Sequence, residues 1–207
     1  MNEYTFLEKT LHSFLLKNNF IKKSLYELEK TFFLKNFYKK VLLEKHIFIT
    51  GLPRAGSTAL LYNLYNSYEF SCLRYINMPF LLAPNLFNKF RKNLSDNKVL
   101  KKERMHKDGI YFDLNSPEAF DEVFFSLFNE RDLEIELPKF INLLNLLMKR
   151  KRYLSKNNYN YTRLNLIKKI LPNSTIIIPV RNPLQQSFSL YNQHKRFLKI
   201  HKTNKFS

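Results

Sequence analysis

Length, composition and charge limit what this protein can be. The chain has 207 residues, 44% of them apolar and 25% charged, which suits one globular domain with a substantial core. The sequence has no run of about 18 apolar residues, so no membrane span is predicted, and its N-terminus does not resemble a signal peptide. Its single cysteine, Cys72, excludes an internal disulfide framework and fits the cytoplasm. The formal net charge of +18 would suit a nucleic-acid or membrane surface, but its spread along the chain favours biased composition instead.

The first part of the chain predicts helices. Apolar residues recur at helical spacing through residues 4–43, and Asn18-Asn19 marks a break between two helices. We interpret residues 1–45 as a helical extension packed on a core of residues 46–207, and we find no candidate chemistry in the extension. The predicted inward positions are Leu7, Leu11, Phe14, Leu15, Leu25, Leu28, Phe32 and Val41.

The stretch from His46 to Tyr65 carries the strongest functional pattern. Residues 47–50 predict a buried strand, the segment from Gly51 to Thr58 (GLPRAGST) predicts a loop, and leucines at helical spacing follow it. Two of the chain's three glycines lie in this loop, where they permit backbone angles closed to other residues. Loop N–H groups and the N-terminus of the next helix can then converge on an anion.

The loop nearly matches the Walker A pattern G-x-x-x-x-G-K-[ST], except that Ser57 stands in place of the lysine. A nucleoside triphosphatase needs that lysine on the β- and γ-phosphates and the next hydroxyl on Mg²⁺. Here the positive charge is Arg54, whose guanidinium suits a terminal oxyanion that needs no bridging metal. The pattern therefore favours a nucleotide phosphate other than that of ATP.

The middle of the chain is less regular and holds an acidic segment. Residues 70–75 predict a strand, Pro84 begins a predicted helix, and residues 103–122 concentrate carboxylates in an otherwise basic protein. Within that segment Ser116-Pro117-Glu118 predicts a helix start, whereas residues 110–113 match a Walker B strand only loosely. His106 is either a general base or a surface histidine.

The last third predicts helices and a strong strand. Residues 138–152 predict an amphipathic helix with a basic end, residues 156–160 a polar loop, and residues 162–171 another helix. Residues 175–180 are apolar and β-branched, as in a parallel strand buried on both faces. Strands separated by helices favour right-handed crossovers, so we predict an α/β fold with a central parallel sheet flanked by helices.

A second cationic group follows that strand. Arg181-Asn182-Pro183 stands at its carboxyl end and precedes a predicted helix that carries Ser189. Ligands of open α/β sheets bind at the carboxyl ends of strands, so Arg181 and the Gly51 loop should lie on the same edge. An arginine at a strand end and a serine about two helical turns later suit a second phosphate.

These two motifs together resemble those of P-loop sulfotransferases. The sequence GLPRAGST is similar to the loop that binds the donor's 5′-phosphosulfate, and Arg181 with Ser189, eight positions later, is similar to the 3′-phosphate motif. Residues 153–157 also resemble the region that precedes that motif, so the similarity covers residues 46–196. The resemblance implies a P-loop nucleotide-binding fold and metal-independent transfer of a sulfuryl group from 3′-phosphoadenosine-5′-phosphosulfate (PAPS) to a hydroxyl or amine.

The resemblance also implies residue roles. Arg54 would neutralise charge on the sulfuryl group and the leaving phosphate, and Lys156 would do the same from the opposite side. His106 and Glu103 are the candidates for the general base of the acceptor. The other implied donor contacts are the backbone N–H groups of Ala55, Gly56, Ser57 and Thr58 on the 5′-phosphosulfate, and Arg181 and Ser189 on the 3′-phosphate.

The chain ends at Ser207, soon after the helix of the 3′-phosphate motif, whereas members of this family usually continue. We therefore expect an incomplete C-terminal part, an exposed apolar surface around residues 183–198, self-association, marginal stability and weak activity. Three alternatives stay open. They are a donor-binding protein without turnover, a nucleotide or small-molecule kinase, and a nucleic-acid-binding protein, which only the net charge favours.

Overall fold

A parallel sheet of four strands lies at the centre of the computed structural model, which describes residues 14–34, 39–91, 101–104 and 109–203. The strands are β1 (Ile47–Ile49), β2 (Phe70–Ser71), β3 (Lys102–Glu103), β4 (Tyr111–Phe112), β5 (Arg152–Lys156) and β6 (Thr175–Ile177). The sheet has the order β2-β5-β1-β6, and β3 and β4 form a separate antiparallel pair. The α-helices are α1 (Asn19–Phe33), α2 (Ser57–Tyr65), α3 (Pro84–Arg91), α4 (Glu122–Phe125), α5 (Glu130–Met148), α6 (Leu164–Ile170) and α7 (Pro183–Thr203).

The sheet separates two apolar clusters, and β1 contributes to both. Phe48 faces a large cluster that includes Tyr153 and Phe140, whereas Ile47 and Ile49 face a smaller one beneath α2. This alternation is the expected consequence of side chains pointing to opposite faces along a strand. The predicted α/β fold with a central parallel sheet flanked by helices is therefore confirmed. Among the described residues, no helix is both long enough and apolar enough to cross a membrane.

The strand β5 was not predicted, although it lies between β2 and β1 in the sheet. The sequence indicated a helix over residues 138–152 and a polar loop from residue 156, but α5 begins eight residues earlier and ends at Met148. Lys149 stops the helix in a left-handed conformation (φ 53°), and Asn129 caps its start by accepting a hydrogen bond from the Asp132 N–H. The strand contains charged ends and a buried serine, so its apolar pattern is weak.

Two other strand predictions were too long. The strand expected over residues 70–75 ends at Ser71, and the one expected over residues 175–180 ends at Ile177. The second was also expected to be buried on both faces, but β6 is the edge of the sheet, and Val180 beyond it is 88% exposed. The large apolar side chains that follow are exposed as expected, namely Leu184, Phe188, Tyr191 and Leu198.

Helix α1 packs on the core through a different face from the one predicted. Leu28 and Phe32 are exposed, whereas Tyr26 and Glu29 are buried. The Glu29 carboxylate accepts hydrogen bonds from the N–H groups of Asn85 (2.7 Å) and Leu86 (3.0 Å), which satisfies the N-terminus of α3. Residues 7 and 11 lie outside the described ranges, and the division of the chain after residue 45 stays a prediction.

His46 joins the start of the sheet to the segment before it. Its Nδ1 accepts a hydrogen bond from the Tyr153 N–H at 2.9 Å, so the proton must be on Nε2, which donates to the Val41 carbonyl at 2.7 Å. Burial of this fully inaccessible side chain lowers the pKa of the imidazole. Protonation of Nδ1 would place two donors against each other inside the core.

We expect acid to destabilise the protein through His46. Because its folded pKa lies below the unfolded value of 6.5, the unfolded chain binds the proton more readily, and stability is lost as the pH falls below that value. The measurement is the melting temperature between pH 5 and pH 7.5, for the natural chain and for His46→Gln, which cannot titrate. An equal dependence on pH in both proteins would contradict the prediction.

Asp121 should make the stability depend on pH in the direction opposite to His46. Burial raises the pKa of its carboxyl to about 7, so its contribution to stability is lost as the pH rises through this value. Asp121→Asn should remove that opposing term and make the loss of stability in acid easier to detect.

Candidate functional site

The loop between β1 and α2 forms the centre of the candidate site. Gly51, Arg54 and Gly56 have positive φ values of 133°, 68° and 93°. Glycine suits position 51 because a residue with a side chain would be strained at this φ. Gly56 is the N-cap of α2, and within the described residues no side chain caps this N-terminus. The N–H groups of the first turn, starting at Ser57, can therefore hold an anion.

Arg54 connects this loop to α7. Its Nε donates a hydrogen bond to Oγ of Ser189 at 3.0 Å, which brings together two motifs that are 135 residues apart in the sequence. A left-handed conformation costs a residue with a side chain roughly 1–2 kcal/mol, so the surrounding structure must hold it. Two hydrogen bonds do so: Gln186 Nε2 donates to the Pro53 carbonyl at 2.8 Å, and Arg181 Nη1 donates to the Arg54 carbonyl at 3.4 Å.

A cavity of about 340 Å³ opens where the loop meets α7. Three guanidinium groups line it, those of Arg54, Arg181 and Arg196, and there is no carboxylate among its described lining residues. Phe188 adds an aromatic ring that is 68% exposed. Guanidinium groups bind phosphate or sulfate with charge-assisted hydrogen bonds, and an exposed ring suits a flat heterocycle. The cavity thus combines several cationic groups with an aromatic ring.

Lys156 flanks the loop on its other side. It ends β5 and is paired in register with Ile49, the last residue of β1, while β6 pairs with the opposite edge of β1 and leads to Arg181. Burial lowers the pKa of the Lys156 ammonium, and the carboxylate of Glu118 partly offsets this effect. The loop therefore starts between two strands that each lead to a cationic side chain.

Glu118 belongs to a largely buried polar cluster near Lys156. Its Oε2 accepts a hydrogen bond from the Tyr75 hydroxyl at 2.7 Å and forms an ion pair with Arg104 at 3.2 Å. The Glu118 and Arg104 side chains are only 12% and 10% exposed. Neither the buried ion pair nor the hydrogen bond from Tyr75 was predicted, because the residues that form them are distant from one another in the sequence.

The predicted helix start at Ser116 is wrong. The Ser116 hydroxyl bonds to Asp113 within a turn, accepting from its N–H at 2.9 Å and donating to its Oδ1 at 3.0 Å, and the next helix begins only at Glu122. Ser-Pro-Glu fits a turn as well as a helix start, and the ion pair with Arg104 holds Glu118 outside any helix. The Walker B interpretation of residues 110–113 also fails, since β4 pairs with β3 outside the central sheet.

Of the two predicted general bases, the structure describes only Glu103. His106 lies outside the described residues. Glu103 is exposed in β3, where its carboxylate accepts a hydrogen bond from the Gly109 N–H at 3.2 Å. By contrast, Gln186 and Arg196 contribute to the site without having been predicted. They stand three residues before and seven after Ser189, and this helical spacing could have indicated their shared face.

The fold and this site define an α/β protein with a glycine-containing loop after strand β1 that is suited to an anion, and a second cationic motif on the same edge of the sheet. Residues 46–205 match the model of a family described as the sulfotransferase family. The chain therefore belongs to the sulfotransferase family.

Solved structures agree with that assignment at the level of the fold. The sulfotransferase STF1 from Mycobacterium tuberculosis H37Rv is similar with a TM-score of 0.52 and 17% identity, over 86% of this chain. The sulfotransferase STF9 from Mycobacterium avium is similar with a TM-score of 0.50 and 16% identity, over 93% of this chain. In both comparisons the match spans 56% of the solved chain. No curated protein has significant sequence similarity.

Proposed function

We propose that this protein transfers a sulfuryl group from PAPS to a hydroxyl or amine acceptor. The observation that carries the proposal is the hydrogen bond of 3.0 Å between Arg54 and Ser189. PAPS has a phosphosulfate on the 5′-oxygen and a phosphate on the 3′-oxygen of one ribose, so its two anionic ends need two cationic motifs within the length of a single nucleotide. The contact between Arg54 and Ser189 supports the proposal because it brings the loop and the α7 motif next to each other.

The donor's two ends have different partners in this proposal. The N–H groups of residues 55–58 hold the 5′-phosphosulfate at the N-terminus of α2. Arg181 and Ser189 hold the 3′-phosphate, and Phe188 is available to the adenine ring. Arg54 lies between the two motifs and is oriented by Ser189, so its guanidinium acts on the transferring group from the loop side.

The reaction is an in-line displacement at sulfur. The acceptor oxygen or nitrogen forms a bond to sulfur while the bond between sulfur and the bridging oxygen of the 5′-phosphate breaks, which releases adenosine 3′,5′-bisphosphate. Arg54 and Lys156 stabilise the negative charge that develops on the bridging oxygen and the sulfuryl group. The acceptor loses a proton to a general base, for which His106 and Glu103 remain the candidates. Glu118 is poorly suited, because it already accepts hydrogen bonds from Tyr75 and Ala119 and pairs with Arg104.

Calorimetric titration with nucleotides tests this proposal. Adenosine 3′,5′-bisphosphate should bind about ten- to a hundredfold more tightly than AMP, because only the former has a phosphate for Arg181 and Ser189. Equal affinities would contradict the proposal, and tight Mg²⁺-dependent binding of ATP would support a kinase instead. Selective binding without transfer from PAPS to any of a panel of hydroxyl and amine acceptors would indicate a donor-binding protein without turnover.

A further inference from the structure

A second cavity, of about 540 Å³, lies beside α2. Four tyrosines line it, Tyr62, Tyr65, Tyr68 and Tyr111, and we call it the tyrosine groove. Tyr62 belongs to the helix that starts at the anion-binding loop, and five residues of helix correspond to about 7.5 Å along its axis. A molecule whose reacting group lies at the loop can therefore extend into this groove.

The tyrosine groove carries an excess of positive charge. Arg74, Lys101 and Arg150 line it, and none of them forms an ion pair within the described part of the chain. The buried Nε of Arg74 also lacks a hydrogen-bond partner there. Asp113 is the one carboxylate among the described lining residues, and it is engaged by the Ser116 hydroxyl. The groove is thus suited to an anion.

Arg150 is held in a fixed orientation in this groove. Its guanidinium lies 5.0 Å from the ring centre of Tyr65 and 5.4 Å from that of Tyr68, and it donates a hydrogen bond to the Phe70 carbonyl. Stacking of this kind restrains the guanidinium without neutralising its charge. An anionic group of a ligand could therefore pair with the Arg150 guanidinium, whose orientation is already fixed. The neighbouring tyrosine rings could contact the apolar side of the same ligand.

Neutral polar groups complete the walls of the tyrosine groove. Asn66, Asn115 and Ser116 line it together with the tyrosine hydroxyls. A wall with many neutral donors and acceptors suits a ligand with many hydroxyl groups, and exposed aromatic rings suit the C–H faces of sugar rings. The Ser116 and Tyr65 hydroxyls already bond within the protein, whereas a flat apolar acceptor would cover the exposed side chain of Asn66 and the exposed ring of Tyr68 without matching their polar groups.

We propose that the tyrosine groove binds the part of the acceptor remote from the reacting hydroxyl or amine, and that this part is an acidic saccharide. The inference rests on the proposed sulfuryl transfer, because it assigns the groove to the acceptor of that reaction. The cations recognise carboxylate or sulfate groups on the sugar, the tyrosine rings contact its ring faces, and the amide and hydroxyl side chains bond to its hydroxyls.

The test is calorimetric binding to the full chain without donor. An unsulfated chondroitin tetrasaccharide, which carries carboxylates, is compared with neutral maltotetraose and with a single-stranded DNA of four nucleotides. Tyr111→Ala and Lys101→Gln alter the groove, whereas Tyr161→Ala and Lys89→Gln alter an exposed tyrosine and an exposed lysine outside it. We expect the acidic saccharide to bind most tightly, with a loss of about tenfold in each groove variant and no loss in the controls.

Several results would overturn the assignment of the tyrosine groove. They are equal binding of the neutral and acidic saccharides, no binding of the acidic one, tighter binding of the DNA, or an equal loss in control and groove variants. Affinity for adenosine 3′,5′-bisphosphate is measured in every variant, and it should not change because the groove residues are outside the Arg54 cavity. Failure of nucleotide selectivity in the natural chain would contradict the sulfuryl-transfer proposal and with it the role of the groove as an acceptor site, whereas absence of saccharide binding to the natural chain would contradict the groove assignment alone.

Discussion

Arg181→Ala should weaken the binding of adenosine 3′,5′-bisphosphate by about ten- to a hundredfold and weaken the binding of AMP much less, since Gln186 still holds the loop through the Pro53 carbonyl. The reason is that the Arg181 guanidinium lines the cavity beside Ser189, where the proposed function places the 3′-phosphate. AMP lacks that phosphate and so cannot lose a contact with it. Calorimetric titration of both nucleotides into the natural chain and the variant measures the difference.

A matched control separates this local effect from a general change in charge. Arg131 is an exposed arginine on α5, so Arg131→Ala removes the same charge outside the cavity. We expect this control to bind both nucleotides as the natural chain does. If Arg181→Ala weakened AMP and the bisphosphate equally, Arg181 would be a general attractor of anions and the 3′-phosphate assignment would be wrong.

Replacing Arg54 should lower turnover far more than donor affinity. One preorganised donor removed from a developing negative charge costs about a hundred- to a thousandfold in rate, whereas uniform binding losses appear in affinity. Arg54→Gly is the cleaner variant, because glycine adopts the observed φ of 68° without strain. The measurements are the turnover number with PAPS and the dissociation constant of adenosine 3′,5′-bisphosphate.

Two further variants define the role of Arg54. Arg54→Lys keeps a positive charge but loses the planar fork that reaches Ser189, so it should recover only part of the rate. Arg54→Ala should match Arg54→Gly in rate while melting at a lower temperature, because alanine bears the cost of the left-handed conformation. If affinity fell as much as turnover in all three, Arg54 would be a positioning residue for the donor and would not act on the transferring group.

The sequence predicted those parts of the site whose residues lie within short motifs, namely the loop after β1 and the arginine after β6. Gly51 and Gly56 are required by backbone conformation, the run before them is apolar, and Arg181 directly follows a second apolar run. Each of these features can be recognised in a short stretch of sequence. Because the two strands are parallel, their carboxyl ends lie on the same edge of the sheet, which brings the two motifs together. The direct contact between Arg54 and Ser189 could be expected only in outline, since it depends on the position of α7.

The features that were missed depend on partners distant in the sequence. Ser155 is buried in β5, where its hydroxyl donates a hydrogen bond to Asp121 at 2.5 Å. A polar residue therefore occupies a core position, and the apolar pattern that would indicate a strand is interrupted. Glu29 is buried because it caps α3, which reverses the face that apolar spacing predicted for α1. Local propensity cannot show that a charged side chain will find a buried partner.

The edge position of β6 has a consequence for how copies of this protein meet in solution. Within the described residues β6 has a strand on one side only, and the exposed Ile178 and Val180 continue the same edge. The unpaired N–H and C=O groups of such an edge can pair with an extended segment of another chain. The net charge of +18, by contrast, makes two copies of this chain repel each other. Salt shortens the reach of that repulsion to about 10 Å at 0.1 M and leaves the apolar attraction intact. We therefore expect ionic strength to influence how copies of this protein associate, with low salt keeping them apart.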